Sequence, residues 1–399
     1  MYTFRKLSPV IMLAVGALTL AACSSGDSSS EPAAETSSAS AAETSAESEA
    51  AAADSAVAQS VLDAVEAAKG VPVFTAQGEA FSIAEIKGKK IFEIPSVPNP
   101  FLQGISDAMK TAAEEAGAEY TICDTQGEVA QWVACFDQAI NSDQNLIILN
   151  GAPDPRALQP QIQAADEAGI PVIVSHFYDD ESAAPPACEG CEFISASVTA
   201  PFNVAGKAAA DWIIADSGGT ANTLIVGGSD ILPSPATIDT MTKEFDENCS
   251  GCTYTVINIP VADWNTKTQS EIQAALQANP DINYVYVLYD AMVAGAVPAV
   301  ETLGRTDVKI GSYNGSPFAL DFIAQGDLVA FNVGEDTPGI GYATIDQGFR
   351  ILTGNAPVVT RTSIRLWDDT NVSEAGVPAV SGTGYGDANI AGFKALWLP

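Results

Sequence analysis

The sequence predicts an α/β fold of two doubly wound lobes, each built on a parallel sheet. From residue 90 onward, short apolar runs alternate with amphipathic stretches at the spacing of β-α-β units. The alternation comes in two series, separated by a stretch at 195–203. A third observation places a ligand. Residues 91–101 read Ile-Phe-Glu-Ile-Pro-Ser-Val-Pro-Asn-Pro-Phe: an apolar strand, a break, then Asn99 as helix N-cap with Pro100 at the first helical position. In open α/β sheets, ligands sit beyond the carboxyl ends of the strands, so this loop and its later counterparts are expected to converge on one site.

The elements follow in order. Residues 59–69 form a short amphipathic helix, and 71–90 a connector packed on the first lobe. Strands at 91–94, 120–123, 146–149 and 172–174 alternate with helices at 104–116, 127–142 and 158–168. In the second series, helices at 205–216, 237–247, 266–277, 292–303, 318–325 and 339–352 alternate with strands at 223–226, 253–258, 284–287, 309–312 and 328–332. Right-handed crossovers set the local topology. The tail, with an apolar run at 364–367 and a Gly-rich piece at 381–386, carries no clear period.

The N-terminus is a targeting segment. Arg5 and Lys6 precede an apolar stretch too short to span a bilayer, which ends in Leu20-Ala21-Ala22-Cys23. This resembles the bacterial lipoprotein signal, which implies cleavage before Cys23 and lipid on its sulfur; an ordinary secretory signal is the alternative. Residues 24–58 contain no Lys, Arg or aromatic residue and cannot bury enough apolar surface to fold, so they read as an acidic tether. The expected organisation is signal 1–22, lipid-anchored tether 23–58, connector 59–89, N-terminal lobe 90–198 with 336–356, and C-terminal lobe 199–335 with 357–399. No later stretch has the roughly 18 apolar residues of a spanning helix, so the mature protein is expected to be anchored rather than spanning.

A formal net charge of −33 speaks against nucleic acid and against adhesion to anionic lipid. Beyond Cys23 there are six cysteines: Cys123, Cys135, Cys188, Cys191, Cys249 and Cys252. In an exported chain these read as disulfides, with local bridges in the two C-x-x-C turns and a bridge between Cys123 and Cys135. The C-x-x-C pairs also have the local spacing of a four-thiolate zinc site.

Several landmarks together resemble the type I periplasmic binding proteins of the ribose and galactose kind, the extracytoplasmic receptors of ABC importers. They are Asn99-Pro100-Phe101, the Gly-Ile-Pro-Val-Ile-Val run at 169–174, Ala262-Asp263-Trp264, Tyr289-Asp290-Ala291-Met292, and Gly-Ser-Tyr-Asn-Gly-Ser-Pro at 311–317. The resemblance covers roughly 90–356. It implies two Rossmann-like lobes joined by a three-strand hinge near 195–203, 335–336 and 355–358, with the ligand cleft between them. It also implies a monomer that delivers a small molecule to a membrane permease without cofactor or metal.

Carried over by position, the pocket comprises Asn99, Phe101, His176, Phe177, Met241, Trp264, Tyr289, Asn314 and Glu335. Asn99 and Phe101 match the family's pattern, and Trp264 falls where an opposing ring belongs. Phe101 and Trp264 can then sandwich a ligand, since a ring face complements the C–H face of a sugar or another flat ring. The other positions depart. His176-Phe177 replaces an Asp-Arg pair, Met241 an Arg, Tyr289 an amide, Asn314 an Asp and Glu335 the hinge amide. A pocket without bidentate Arg donors suits a neutral or cationic ligand with fewer hydroxyls than ribose.

Plainer roles stand beside these. His176, the only histidine, can be a packed residue, and Trp264 can be core. Glu335 and Asp290 can cap the helices that follow them. Neither a G-x-S-x-G elbow nor a metal-spaced His cluster points to an enzyme. The signal and tether occupy the place where repressors of this fold carry DNA-binding helices. A sensor feeding a chemoreceptor or kinase remains the alternative within the fold, and an extracytoplasmic enzyme the alternative outside it.

Overall fold

The computed structural model describes residues 57–399 apart from 152–153, 180–191, 229 and 327. The signal segment, Cys23, nearly all of the tether, Cys188 and Cys191 lie outside the described residues. The chain opens with α1 (Gln59–Lys69) and a short strand, β1 (Phe81–Ser82). The first lobe follows: β2 (Lys90–Pro95), α2 (Pro100–Glu115), β3 (Glu119–Ile122), α3 (Val129–Asn141), β4 (Leu146–Asn150), α4 (Gln159–Glu167), β5 (Val172–Asp179) and β6 (Ala196–Ala200). The second lobe runs α5 (Phe202–Asp216), β7 (Asn222–Gly227), α6 (Ser234–Asn248), β8 (Thr253–Asn258), α7 (Trp264–Ala278), β9 (Tyr284–Val287), α8 (Val293–Thr302), β10 (Lys309–Asn314), α9 (Pro317–Ala324) and β11 (Val329–Glu335). Then come α10 (Thr337–Leu352), β12 (Thr360–Arg361), β13 (Ile364–Asp368), α11 (Ala388–Leu396) and β14 (Trp397–Leu398).

Two six-stranded sheets result. The first has the order β12-β6-β5-β4-β2-β3 with every pair parallel. The second has the order β13-β11-β10-β9-β7-β8, parallel except for the β11–β13 pair. Parallel strands are covered on both faces, which is why β9 and residues 146–149 of β4 read as unbroken apolar runs; β2 interrupts its run with the buried Glu93, bonded to Ser106, Tyr120 and Asn150. Ile91 and Ile148 face α2 and α10, while Phe92 and Leu149 face α3 and α4. Each such fully buried side chain contributes about 1.5–3 kcal/mol relative to exposure.

The ends of the chain correct the expected boundaries. Val61 and Val65 of α1 join the second-lobe core, whereas Phe81 and Ile86 of the connector join the first. The tail does not belong wholly to the second lobe. Gln347 on α10 accepts from the Val358 amide and donates to its carbonyl, and β12 then pairs with β6 in the first sheet. The third crossing therefore falls at 362–363 rather than 355–358. After β13, the tail returns to the first lobe, where Phe393 and Leu396 of α11 join the core around Ile340 and Phe349 of α10, and β14 pairs with β1.

Disulfides join Cys123 to Cys135 and Cys249 to Cys252. The second bridge removes two thiolates from the four-thiolate zinc reading. Among the described residues, no helix is long and apolar enough to cross a membrane.

Candidate functional site

The carboxyl ends of both sheets face one cleft, and the first-lobe wall begins at the β2–α2 loop. Asn99 caps α2, its side-chain oxygen accepting from the Leu102 amide at 2.9 Å. That cap and Pro100 fix the first turn and set the ring of Phe101, 9% exposed, against the ring of His176 at 4.9 Å. His176 lies within β5 yet has φ +55°, in the left-handed region. Its neighbour Ser175 still pairs with Val198 of β6 and bonds Thr344 of α10, but the register slips before Asp179. The irregular backbone breaks the strand's alternation and turns the imidazole toward Phe101 and Phe202.

Glu335 closes the base of the cleft. It ends β11, just before the chain returns to the first lobe, and is 1% exposed. Both carboxylate oxygens lie 2.9 Å from His176 Nε2, which donates to them. Asn314 Nδ2 donates to Oε1 at 3.2 Å. Asn314 reaches that carboxylate because it and Gly315 both take positive φ at the end of β10. A Cβ at Gly315 would come within 2.8 Å of the Gly334 backbone, so the turn requires glycine. Tyr313, its ring tilted against that of Phe202 at 5.6 Å, carries a buried hydroxyl whose pKa is driven well up, first by burial and then by Glu335.

The second-lobe wall is aromatic. Trp264 starts α7, and its indole N–H donates to the Ile259 carbonyl at 2.8 Å. Its ring stacks on Tyr289 at 5.3 Å, and Gly228 lies close beneath the indole. The Tyr289 hydroxyl bonds Ser234 at 3.0 Å. Burial raises the Tyr289 pKa, and the nearby Glu335 charge adds to the shift. Asp290 is fully buried and accepts from the Ser316 amide and from Asn332, each at 2.6 Å. Burial pushes its carboxyl up to about 6. Asp290 thus ties β9 to the β10–α9 loop rather than capping a helix. The cap after Glu335 is supplied by Asp336, which accepts from the Gly339 amide.

The structure brings Phe101, His176, Asn314 and Glu335 into one contacting group, with Trp264 and Tyr289 stacked on the facing lobe and Asn99 at the loop. It does not bring two of the candidate residues there. Met241 is fully buried between α6 and α5, against Gly206, in the second-lobe core. Phe177 packs edge-on to Tyr178 in the core beneath α3 and α4, because the residue after a left-handed step points to the other face. Sequence reasoning missed Phe202, Tyr313 and Ser234. The lobe crossing at Thr-Ala-Pro-Phe, 199–202, was a usable signal for Phe202.

Cavity size does not mark this cleft. A cavity of about 660 Å³ lies at the opposite, amino end of the first sheet, lined by Lys89, Asn145, Pro171 and Ser195. A smaller one of about 210 Å³ lies beside Asn99, Gln103 and Gln126, at the carboxyl ends of β2 and β3.

Two covered sheets facing a polar and aromatic cleft define a two-lobed receptor of the binding-protein class. The profile of the periplasmic binding protein domain family matches residues 91–356, and the chain belongs to that family. The ribose import binding protein of Salmonella typhimurium is 23% identical over 262 residues, covering 65% of this chain and 83% of that protein. The D-apiose import binding protein of Actinobacillus succinogenes is 27% identical over 246 residues, covering 58% and 71%. The structure of an ABC transporter solute-binding protein from Bacillus halodurans with bound myo-inositol superposes with a TM-score of 0.63 at 20% identity, covering 74% of this chain and 99% of that one. These relatives are binding proteins, and the family works outside the cytoplasm.

Proposed function

We propose that the chain is the solute receptor of an ABC importer, taking a sugar, a polyol or a less hydroxylated relative between its lobes and delivering it to a membrane permease. The observation that carries the reading is the juxtaposition of a stacked aromatic wall, Trp264 on Tyr289, with a hydrogen-bonding base, Glu335 held by His176 and Asn314. Rings cover the apolar face of a pyranose or furanose, and a carboxylate accepts from hydroxyl or ammonium groups. Neither Lys nor Arg pairs with Glu335, Asp290 or Asp336 among the described residues, which disfavours an anionic ligand. A lipid on Cys23 would hold the receptor to the membrane as a monomer.

Calorimetric titration with D-ribose, D-apiose and myo-inositol, and with an acidic sugar as counter-probe, tests this. Binding of a neutral probe and none of the acid is the expected result. Tight binding of the acid alone would contradict it.

A further inference from the structure

The family match ends at residue 356, yet the chain continues for a tail that runs past the crossing where Glu335 sits. That tail grips the crossing from three sides. The Tyr385 hydroxyl, fully buried, receives the Trp367 indole N–H at 3.1 Å and fills the space above Gly334 and Gly315. A Cβ on Gly315 would stand 2.9 Å from that hydroxyl, and one on Gly334 would strike it. Asn389, at the start of α11, donates to Asp336 Oδ2 at 2.6 Å, leaving Oδ1 to cap α10. Ser381 bonds Thr337 at 3.3 Å. The residues on either side of the crossing are therefore held by groups that the family-matched segment does not contain.

A hinge absorbs rotation at a few backbone positions. Glu335 sits at such a position, with its carboxylate on His176 of one lobe and Asn314 of the other. The other crossings, at Pro201 and at 362–363, are bonded to one another and to this one: the Thr362 hydroxyl donates to the Thr199 carbonyl at 3.2 Å, and the Ser363 carbonyl accepts from the Asp336 amide at 3.4 Å. We propose that Tyr385 and Asn389 are positioning residues for Glu335, and that the tail makes the Glu335–Asp336 crossing the fixed pivot of the cleft. This rests on the cleft being the ligand site.

The test compares the full mature chain with Asn389→Ala, Tyr385→Phe and, as a control, Val61→Ala, which loosens the N-terminal helix on the second lobe without touching the crossing. Hydrogen exchange of the amides at 333–340 is read without ligand. The expected result is exchange faster by about tenfold there in the first two variants, with the β7 and β9 amides unchanged and Val61→Ala without effect at 333–340. For whichever of D-ribose, D-apiose or myo-inositol binds the wild type, dissociation should quicken about tenfold while association holds. Unchanged exchange at 333–340, or a rise no larger than in Val61→Ala, overturns the proposal. If the wild type binds none of the probes, the ligand reading fails by itself, and the exchange result still decides the pivot.

Discussion

The two walls of the cleft are made differently. The first-lobe wall depends on backbone exceptions: a capped loop at Asn99, a left-handed His176, and a carboxylate at the crossing that the histidine reaches. The second-lobe wall rests on regular elements, with Trp264 at a helix start, Tyr289 at a strand end, and each polar tip bonded within its own lobe. The contrast teaches that the first wall is tied to the integrity of the fold, whereas the second can be altered for ligand at little cost to it.

The sharpest break of that contrast is His176→Ala. It takes the imidazole away from the buried Glu335 carboxylate, and losing one partner of a buried, hydrogen-bonded carboxylate costs about 2–3 kcal/mol. Denaturant unfolding should show that loss; a change under about 1 kcal/mol would mean the first wall is no more bound to the fold than the second.

Asp290 supplies a pH test on the second lobe. An unfolded aspartate titrates near 3.8, and burial holds this one up to about 6. The folded state therefore keeps the proton to higher pH, so the contribution is fully present below about pH 4 and is lost as pH rises through about 6. The gap corresponds to at most about 3 kcal/mol. The stability of the wild type minus that of Asp290→Asn should grow as pH falls from 7 to 4, and a flat difference would count against a buried, proton-holding Asp290.

Trp264→Ala should weaken binding of the wild type's best probe by about a hundredfold, since it removes the stacked face of the wall. Its melting temperature should stay within a few degrees, because the indole is half-buried. Unchanged affinity would remove the second-lobe wall from the site. The smallest effect belongs to Tyr289→Phe, which keeps the ring and forfeits the Ser234 bond, at about 1 kcal/mol of stability. A loss as large as that of His176→Ala would erase the distinction between the walls.

The same contrast explains what was legible in the sequence. Strand 284–287 and strand 253–258 coincide with β9 and β8, because fully buried or edge strands announce themselves by composition. Trp264 and Tyr289 are placed by the family resemblance rather than by composition, and the structure stacks the two rings on each other. The extension of β5 to Asp179 and the turn of His176 could not be foreseen, since no residue type there signals a left-handed step, and Phe177 was consequently assigned to the wrong face. Met241 lies on a regular helix, yet only the α5–α6 packing reveals that it points inward. The tail was opaque because it has no period: β12 and β13 belong to different sheets although only two residues separate them.

The most direct measurement is native mass spectrometry of the gently purified wild type beside Trp264→Ala, before and after denaturation. The account predicts a neutral or cationic small molecule, sugar-like or sparsely hydroxylated, released from the wild type and missing from the variant. An anionic compound in the wild type, or equal occupancy in both proteins, would contradict it.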